Sequence, residues 1–390
     1  MPRYGRALGM GLLLGGAAGL LLGAAERYGR RAPQQLIDWD LAVDVALRTC
    51  GRAPLLEPAE RAGLEQQYRA VLERIEAPIA AYTRTRLPLP QTVVAVLDRP
   101  AWIRANARSF QRLLQPLEEA YRQRVCREPA GPAALAGMSR LALSGQLGLL
   151  LGYLARRVLG QYDINLLGRE PLEAGRLYFV EPNIRTLVAM LRLPLTEFRT
   201  WIALHEATHA HEFELHPWVR EYLNAALQAY LRTLVEELAD GHPPGVPLAQ
   251  WVARLVEALR DRRNLLESFM TAEQRALVSR LQVLMALLEG YSNHVMHEVG
   301  RGLLPHFAEI EARLAARQQQ RAPLERWLLQ VTGLNLKLEQ YALGEAFVRA
   351  VVAARGIEFL NRVWEGPAAL PSAAELRAPA TWIARLEAAA

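Results

Sequence analysis

Apolar residues recur along most of this chain at intervals of three and four, the period of a helix with one buried face. The most regular stripe is Leu277, Leu281, Leu284, Leu288, Tyr291 and Val295, and it predicts a helix over 274–299. The same pattern predicts helices over 57–84, 102–127, 138–159, 198–211, 221–239, 248–260, 307–321 and 338–355. Strand signals are scarce. Residues 162–167 and 177–180 are short β-prone runs flanking Gly168 and Gly175, so they read as a hairpin or small sheet. Proline-rich loops fall at 86–90, 241–247 and 366–371. The expected fold class is therefore mainly α with a small β-sheet (α+β). No linker divides the chain after residue 35, so residues 36–390 read as one domain behind a distinct segment 1–35.

That first segment has a pattern of its own. Residues 7–25 are charge-free and apolar, long enough to cross a bilayer, with Gly11, Gly15, Gly19 and Gly23 on one helical face. Three readings stay open: a soluble packed helix, a membrane anchor held by flanking arginines, or a signal peptide with small residues at 23–25. A glycine-lined partner for the packed helix is on offer in 141–155, with Gly145, Gly148 and Gly152.

Composition narrows the class. About half of the 390 residues are apolar, which suits a globular protein with ample core. The net charge is +6, but residues 1–31 carry five Arg and one Glu, leaving only +2 for the rest. Lys337 is the sole lysine, so the basic excess reflects arginine usage, and no nucleic-acid-binding motif accompanies it. Nucleic acid is not an expected partner. Cys50 and Cys126 are too few and too far apart for a disulfide framework or a cysteine metal site. The expected location is the cytoplasm, with membrane association through residues 7–25 as the variant reading.

The strongest chemical signal is His205-Glu206-Ala207-Thr208-His209, an HExxH. Residues four apart share a helix face, so both imidazoles can ligate one zinc ion. Glu206 lies beside that face, where a carboxylate can act as general base towards a water. The motif fixes only three residue types, so its surroundings matter. Thr196 is a suitable N-cap, Glu197 favours the positive end of the helix dipole, and Pro217 bounds the run.

A catalytic zinc usually takes three protein ligands. A third histidine in the HExxHxxGxxH register is disfavoured: Glu212 and Leu215 occupy the glycine and histidine positions, and His216 comes one residue late. Glu289 sits in the most apolar part of the 274–299 stripe, where a carboxylate is costly unless a cation compensates it. It is the favoured third ligand. His294 and His297 on the same helix, and Glu236 and Glu237 on the preceding one, remain alternatives.

Several further segments agree with these positions in order. They are Asp38-Trp39-Asp40-Leu41-Ala42, Asp98-Arg99-Pro100-Ala101-Trp102-Ile103 with Asn106, and Val158-Leu159-Gly160-Gln161-Tyr162-Asp163. Glu181-Pro182-Asn183-Ile184 follows, then the HExxH with Phe213 and Pro217-Trp218, and Leu288-Glu289-Gly290-Tyr291 with Val295-Met296. Lys337-Leu338-Glu339-Gln340-Tyr341 and the tail from Trp364 to Trp382 complete the set. Together these segments, spanning about 36–388, resemble the zincin-like metallopeptidase type 2 family, also described as hydrolases associated with deazaflavin-cofactor biosynthesis. The resemblance implies zincin-like architecture and hydrolase activity, and names no substrate. His211, His216 and His297 depart from the family pattern.

The expectation is a zinc-dependent hydrolase, most simply a metallopeptidase acting on a peptide or other amide. His205, His209 and Glu289 would hold Zn2+, with Glu206 as base. Tyr291 and His294 are candidates for stabilising an oxyanion, and Asn183 for touching substrate beside a sheet edge; each has an ordinary structural role as its alternative. The rival class is a non-catalytic zincin-like metal-binding or scaffold protein. Retention of Glu206 argues against it, because a structural zinc needs no general base.

Overall fold

A computed structural model describes residues 35–86, 93–127, 133–163, 176–239, 270–319 and 334–389. The segment 7–25, the 241–247 loop and the helix expected over 248–260 lie outside the described residues. Helices dominate, with one three-stranded sheet, so the fold is mainly α with a small β-sheet as the patterning predicts. Among the described residues no helix is long and apolar enough to cross a membrane. Where the sequence shows no linker, contacts separate the chain into two compact units. One is drawn from Met1–Leu55, Leu97–Val158 and Leu234–His242, the other from Leu56–Val96, Leu159–Thr233 and Pro243–Ala390. Among the described residues two divisions fall between elements, one falls before the last residue of β1 (Val93–Leu97) and one falls within a helix, at places where composition does not change.

The first unit is built on α1 (Trp39–Thr49), α3 (Arg99–Arg127) and α4 (Ala133–Ala155). The periodicity gave no warning of α1, which is short; its start is fixed by Asp38, whose carboxylate accepts from the Leu41 N–H at 3.0 Å. Asp98 does the same for α3, accepting from the Ala101 N–H at 2.8 Å. Arg99 donates to the carbonyls of Cys50 and Arg52. Two of the recurring sequence segments are thus explained as helix starts. The glycine face of α4 meets α1: a Cβ at Gly148 would lie 2.5 Å from the Ala42 carbonyl oxygen, and one at Gly152 would lie 2.1 Å from Thr49 Oγ1. Only glycine lets the two backbones approach so closely. At Gly148 and Gly152 that stripe is therefore occupied by α1.

The second unit holds the main core. Its elements are α2 (Pro58–Thr83), β1 (Val93–Leu97), β2 (Gly160–Asp163), β3 (Arg176–Val180), α5 (Glu181–Leu191), α6 (Leu195–Glu214) and α7 (Pro217–Ala239). They continue with α8 (Ala272–Leu303), α9 (Phe307–Gln319), α10 (Leu334–Leu360), α11 (Ala373–Arg377) and α12 (Pro379–Ala388). The sheet order is β1-β3-β2, and β2 pairs antiparallel with β3, Gly160 opposite Phe179 and Tyr162 opposite Leu177. Central β3 reads Arg-Leu-Tyr-Phe-Val, and its last four residues are buried.

Helix α6 starts one residue after Pro194, with no side-chain cap, and Thr196 lies inside it. The expected cap is displaced because Pro194 already supplies the extended backbone from which the helix departs. Its start is tied to α5 instead. The fully buried Glu181 accepts from Arg185, from Arg199 and, at 3.2 Å, from the Tyr68 hydroxyl. A buried carboxylate with this many donors is affordable, whereas an unpaired one is not.

The tail closes on the same core. Trp382 is fully buried, edge-on to Phe347 and Phe359, and donates to the Ala369 carbonyl at 2.8 Å. Trp218 at the start of α7 donates to the Trp364 carbonyl at 2.8 Å.

Candidate metal centre

Helix α6 is buried over most of its circumference, and α8 and β2 pack against it. His205 and His209 sit one above the other, ring centroids 4.7 Å apart and nearly perpendicular. Glu289 reaches them from α8, with its Oε2 3.6 Å from His205 Nε2. The three ligand atoms lie within 4.8 Å of one another, and among the described residues this is the only His/Cys/Asp/Glu group so arranged. Ligands about 2.0–2.1 Å from a tetrahedral zinc stand roughly 3.3 Å apart, close to the His205–Glu289 separation. The nitrogen and carboxylate donors suit that ion.

Position 289 is held by close helix packing. The next residue, Gly290, lies against α10: a Cβ there would come 2.4 Å from the carbonyl carbon of Gly344. A Cβ on Gly344 would come 1.8 Å from the Ala286 carbonyl oxygen. The two glycines press the backbones of α8 and α10 together, which fixes the turn of α8 that bears Glu289.

Behind the histidines lies a layer that sequence reasoning missed. Glu212 is buried, and its Oε2 is 2.7 Å from His209 Nδ1. Ser292 donates to the other Glu212 oxygen at 3.2 Å and also lies 3.1 Å from His209 Nδ1. A carboxylate on Nδ1 fixes the tautomer and turns the Nε2 lone pair towards a metal. Burial alone would push His209 down, but Glu212, Glu289 and Glu206 raise it to about 9. Burial pushes Glu212 upward, against the pull of His209. Three carboxylates beside two imidazoles leave this buried cluster short of positive charge, the condition a dication satisfies. The chain offered only a weak cue: Glu212 is at i+3 from His209, the spacing of side-chain neighbours on a helix, and such neighbours are usually solvated.

Glu206 lies beside the triad and is buried. Burial raises its pKa, and the two imidazoles and the Tyr162 N–H oppose that rise. Strand β2 runs directly over it, since a Cβ on Gly160 would fall 2.7 Å from Glu206 Cγ and Oε1. Tyr162 is bound to α6 again through its side chain, its hydroxyl donating to Glu214 and its ring stacking on Phe213. The sheet edge is thereby fastened to the helix within the motif and about one turn beyond it.

The remaining candidates make contacts of their own. Tyr291 is buried and gives its hydroxyl to Asn361 Oδ1 at 2.8 Å, while Asn361 donates to the Thr83 carbonyl. His294 Nε2 is 2.6 Å from the Tyr82 hydroxyl, and burial lowers its pKa. His297 pairs with Glu311 at 2.6 Å. His216 stacks on Trp364. Asn183 is buried in the first turn of α5. Neither Glu236 nor Glu237 belongs to the metal-type group.

With this geometry in view, comparison with known proteins is specific. The sequence matches the zincin-like metallopeptidase family profile over residues 37–383. A crystal structure from Chloroflexus aurantiacus, described as "a putative hydrolase with a novel fold", is 42% identical. It covers 90% of this chain and 99% of its own, with a TM-score of 0.65. No curated protein matches the chain.

Proposed function

This chain belongs to the zincin-like metallopeptidase family, and on that premise we propose that it is a zinc-dependent hydrolase of peptide or related amide bonds. His205, His209 and Glu289 are the ligands in this reading, and Glu206 is the general base. The observation that carries it is the convergence of the three donor atoms within 4.8 Å beside a buried carboxylate that is not one of them. When bound, zinc acts as a Lewis acid towards a carbonyl and acidifies a water.

The chain's own groups supply the rest. Glu206 accepts the proton of the attacking water, and its raised pKa brings it nearer to the neutral range in which a base must also release that proton. The Tyr162 N–H holds the carboxylate in place meanwhile. Glu212 keeps His209 in the tautomer that presents Nε2. An extended substrate would lie along β2, the sheet edge over Glu206, by backbone hydrogen bonding.

The test combines metal content with hydrolysis of a peptide library. Wild-type protein should carry about one zinc per chain. Glu206→Gln should keep the zinc and lose hydrolysis by on the order of 10²-fold or more, while His205→Ala should lose both. Wild-type turnover in Glu206→Gln would remove Glu206 as base. Protein that takes up no zinc would return the chain to the scaffold reading.

A further inference from the structure

The first unit contains an open cleft of about 460 Å³ along α3, and none of its lining residues belongs to the metal-ligand group. Arg108, Arg112 and Arg122 line it, with Glu118, Trp39 and three glutamines. Positions 108, 112, 115, 118 and 122 recur at intervals of three and four, so they form one face of α3. Its volume falls in the range of small-ligand sites, about 300–1,000 Å³.

Its charge is out of balance. Arginines elsewhere pair with carboxylates one turn away, as Arg48 does with Asp44 and Arg301 with Glu298. Among the described residues Arg108 and Arg122 make no ion pair or hydrogen bond, and Arg112 reaches only the Ser109 hydroxyl, at 3.4 Å. The single lining carboxylate is committed: buried Glu118 accepts from the N–H groups of Leu36 and Ile37 at 2.9 and 3.1 Å. Arg108, Arg112 and Arg122 are exposed, so water screens much of their mutual repulsion, and an anion held between them would relieve what remains. Guanidinium is also the group that binds phosphate and carboxylate in a two-pronged fashion. Trp39, half-buried at the start of α1, adds a flat apolar wall.

The geometry points to a binding site for a small anionic molecule that bears a phosphate or paired carboxylates and a planar ring. Arg108, Arg112 and Arg122 take the anion and Trp39 takes the ring. The site shares no residue with the proposed hydrolytic centre and stands or falls without it.

Isothermal titration of the full-length protein at low salt, with pyrophosphate, AMP, ribose 5-phosphate and glutarate, tests this. Binding of pyrophosphate or AMP identifies a phosphate ligand; binding of glutarate alone identifies a dicarboxylate. An AMP affinity above that of ribose 5-phosphate, abolished in Trp39→Leu, supports the ring contact. The double variant Arg108→Gln/Arg112→Gln should weaken the bound probe by about 10-fold or more. Arg104→Gln, an exposed α3 arginine outside the cavity, should leave it unchanged. Failure of all four probes to bind, or equal binding by the double variant and wild type, overturns the proposal.

Discussion

Helix α8 carries two stretches of similar chemistry with different outcomes. Around Glu289, side chains of two helices aim at one point, and the donor atoms of His205, His209 and Glu289 lie within 4.8 Å of one another. At His294 and His297, two turns further along, the imidazoles part company. His294 goes to the Tyr82 hydroxyl, and His297 goes to Glu311 on α9. Both places hold residue types that can ligate a metal. What differs is whether a second element offers its own donors to the same point or takes each side chain away singly, and only convergence makes a polydentate site.

The largest expected effect tests that difference directly. Glu289→Ala should weaken zinc binding by on the order of 10²-fold or more, as loss of one of three ligands implies. His297→Ala should leave zinc affinity within about a factor of two, with its pairs to Glu311 and Glu345 and its edge contact with Phe307 lost. Competition with a chromogenic chelator reads both. Equal affinities in the two variants would erase the distinction between the two stretches.

Next comes the layer behind the ligands. Glu212→Gln keeps the shape of the side chain but removes the charge that sets the His209 tautomer, and should cost about 10–100-fold in zinc affinity. Unchanged affinity would make Glu212 a buried helper of packing alone. A smaller effect, on folding, is expected where α8 meets α10. Gly344→Ala places a methyl into the Ala286 carbonyl and should lower stability by about 1–3 kcal/mol in denaturant unfolding. If Glu289 depends on that contact, zinc affinity should fall with it.

The sequence revealed the parts of this arrangement that depend on local spacing. The HExxH, the helix carrying it, the long stripe with Glu289 inside it and the small sheet are all periodic or adjacent features, and the structure has an element at each. The ligand roles themselves await the metal measurements above. What stayed hidden depends on distant partners. A glutamate at i+3 from a histidine is usually a solvated neighbour, so Glu212 gave no signal until α6 proved buried at that position. Gly160, Gly290 and Gly344 looked like ordinary glycines, because what each must admit comes from another element. The N-cap expected at Thr196 is absent for a related reason: Glu181, fifteen residues before it, anchors the start of α6 through Arg199. The division into two units left no mark in composition at all.

The smallest effect concerns His216, which is close to the third-histidine register yet serves packing. It stacks on Trp364 at 5.3 Å, and burial lowers its pKa to about 4. An unfolded chain would protonate this imidazole near its ordinary value of about 6.5. Between those values the unfolded state therefore binds more protons than the folded one, so stability should rise with pH across that window and fall as the solution is acidified. His216→Phe keeps a ring on Trp364 and removes the titration. The slope of the melting temperature between about pH 4 and 6.5 should then flatten relative to wild type, by a modest amount because part of the ring is exposed to solvent. An unaltered slope would assign the acid sensitivity to the other buried groups of α6, and would leave His216 with a stacking role that is indifferent to its charge.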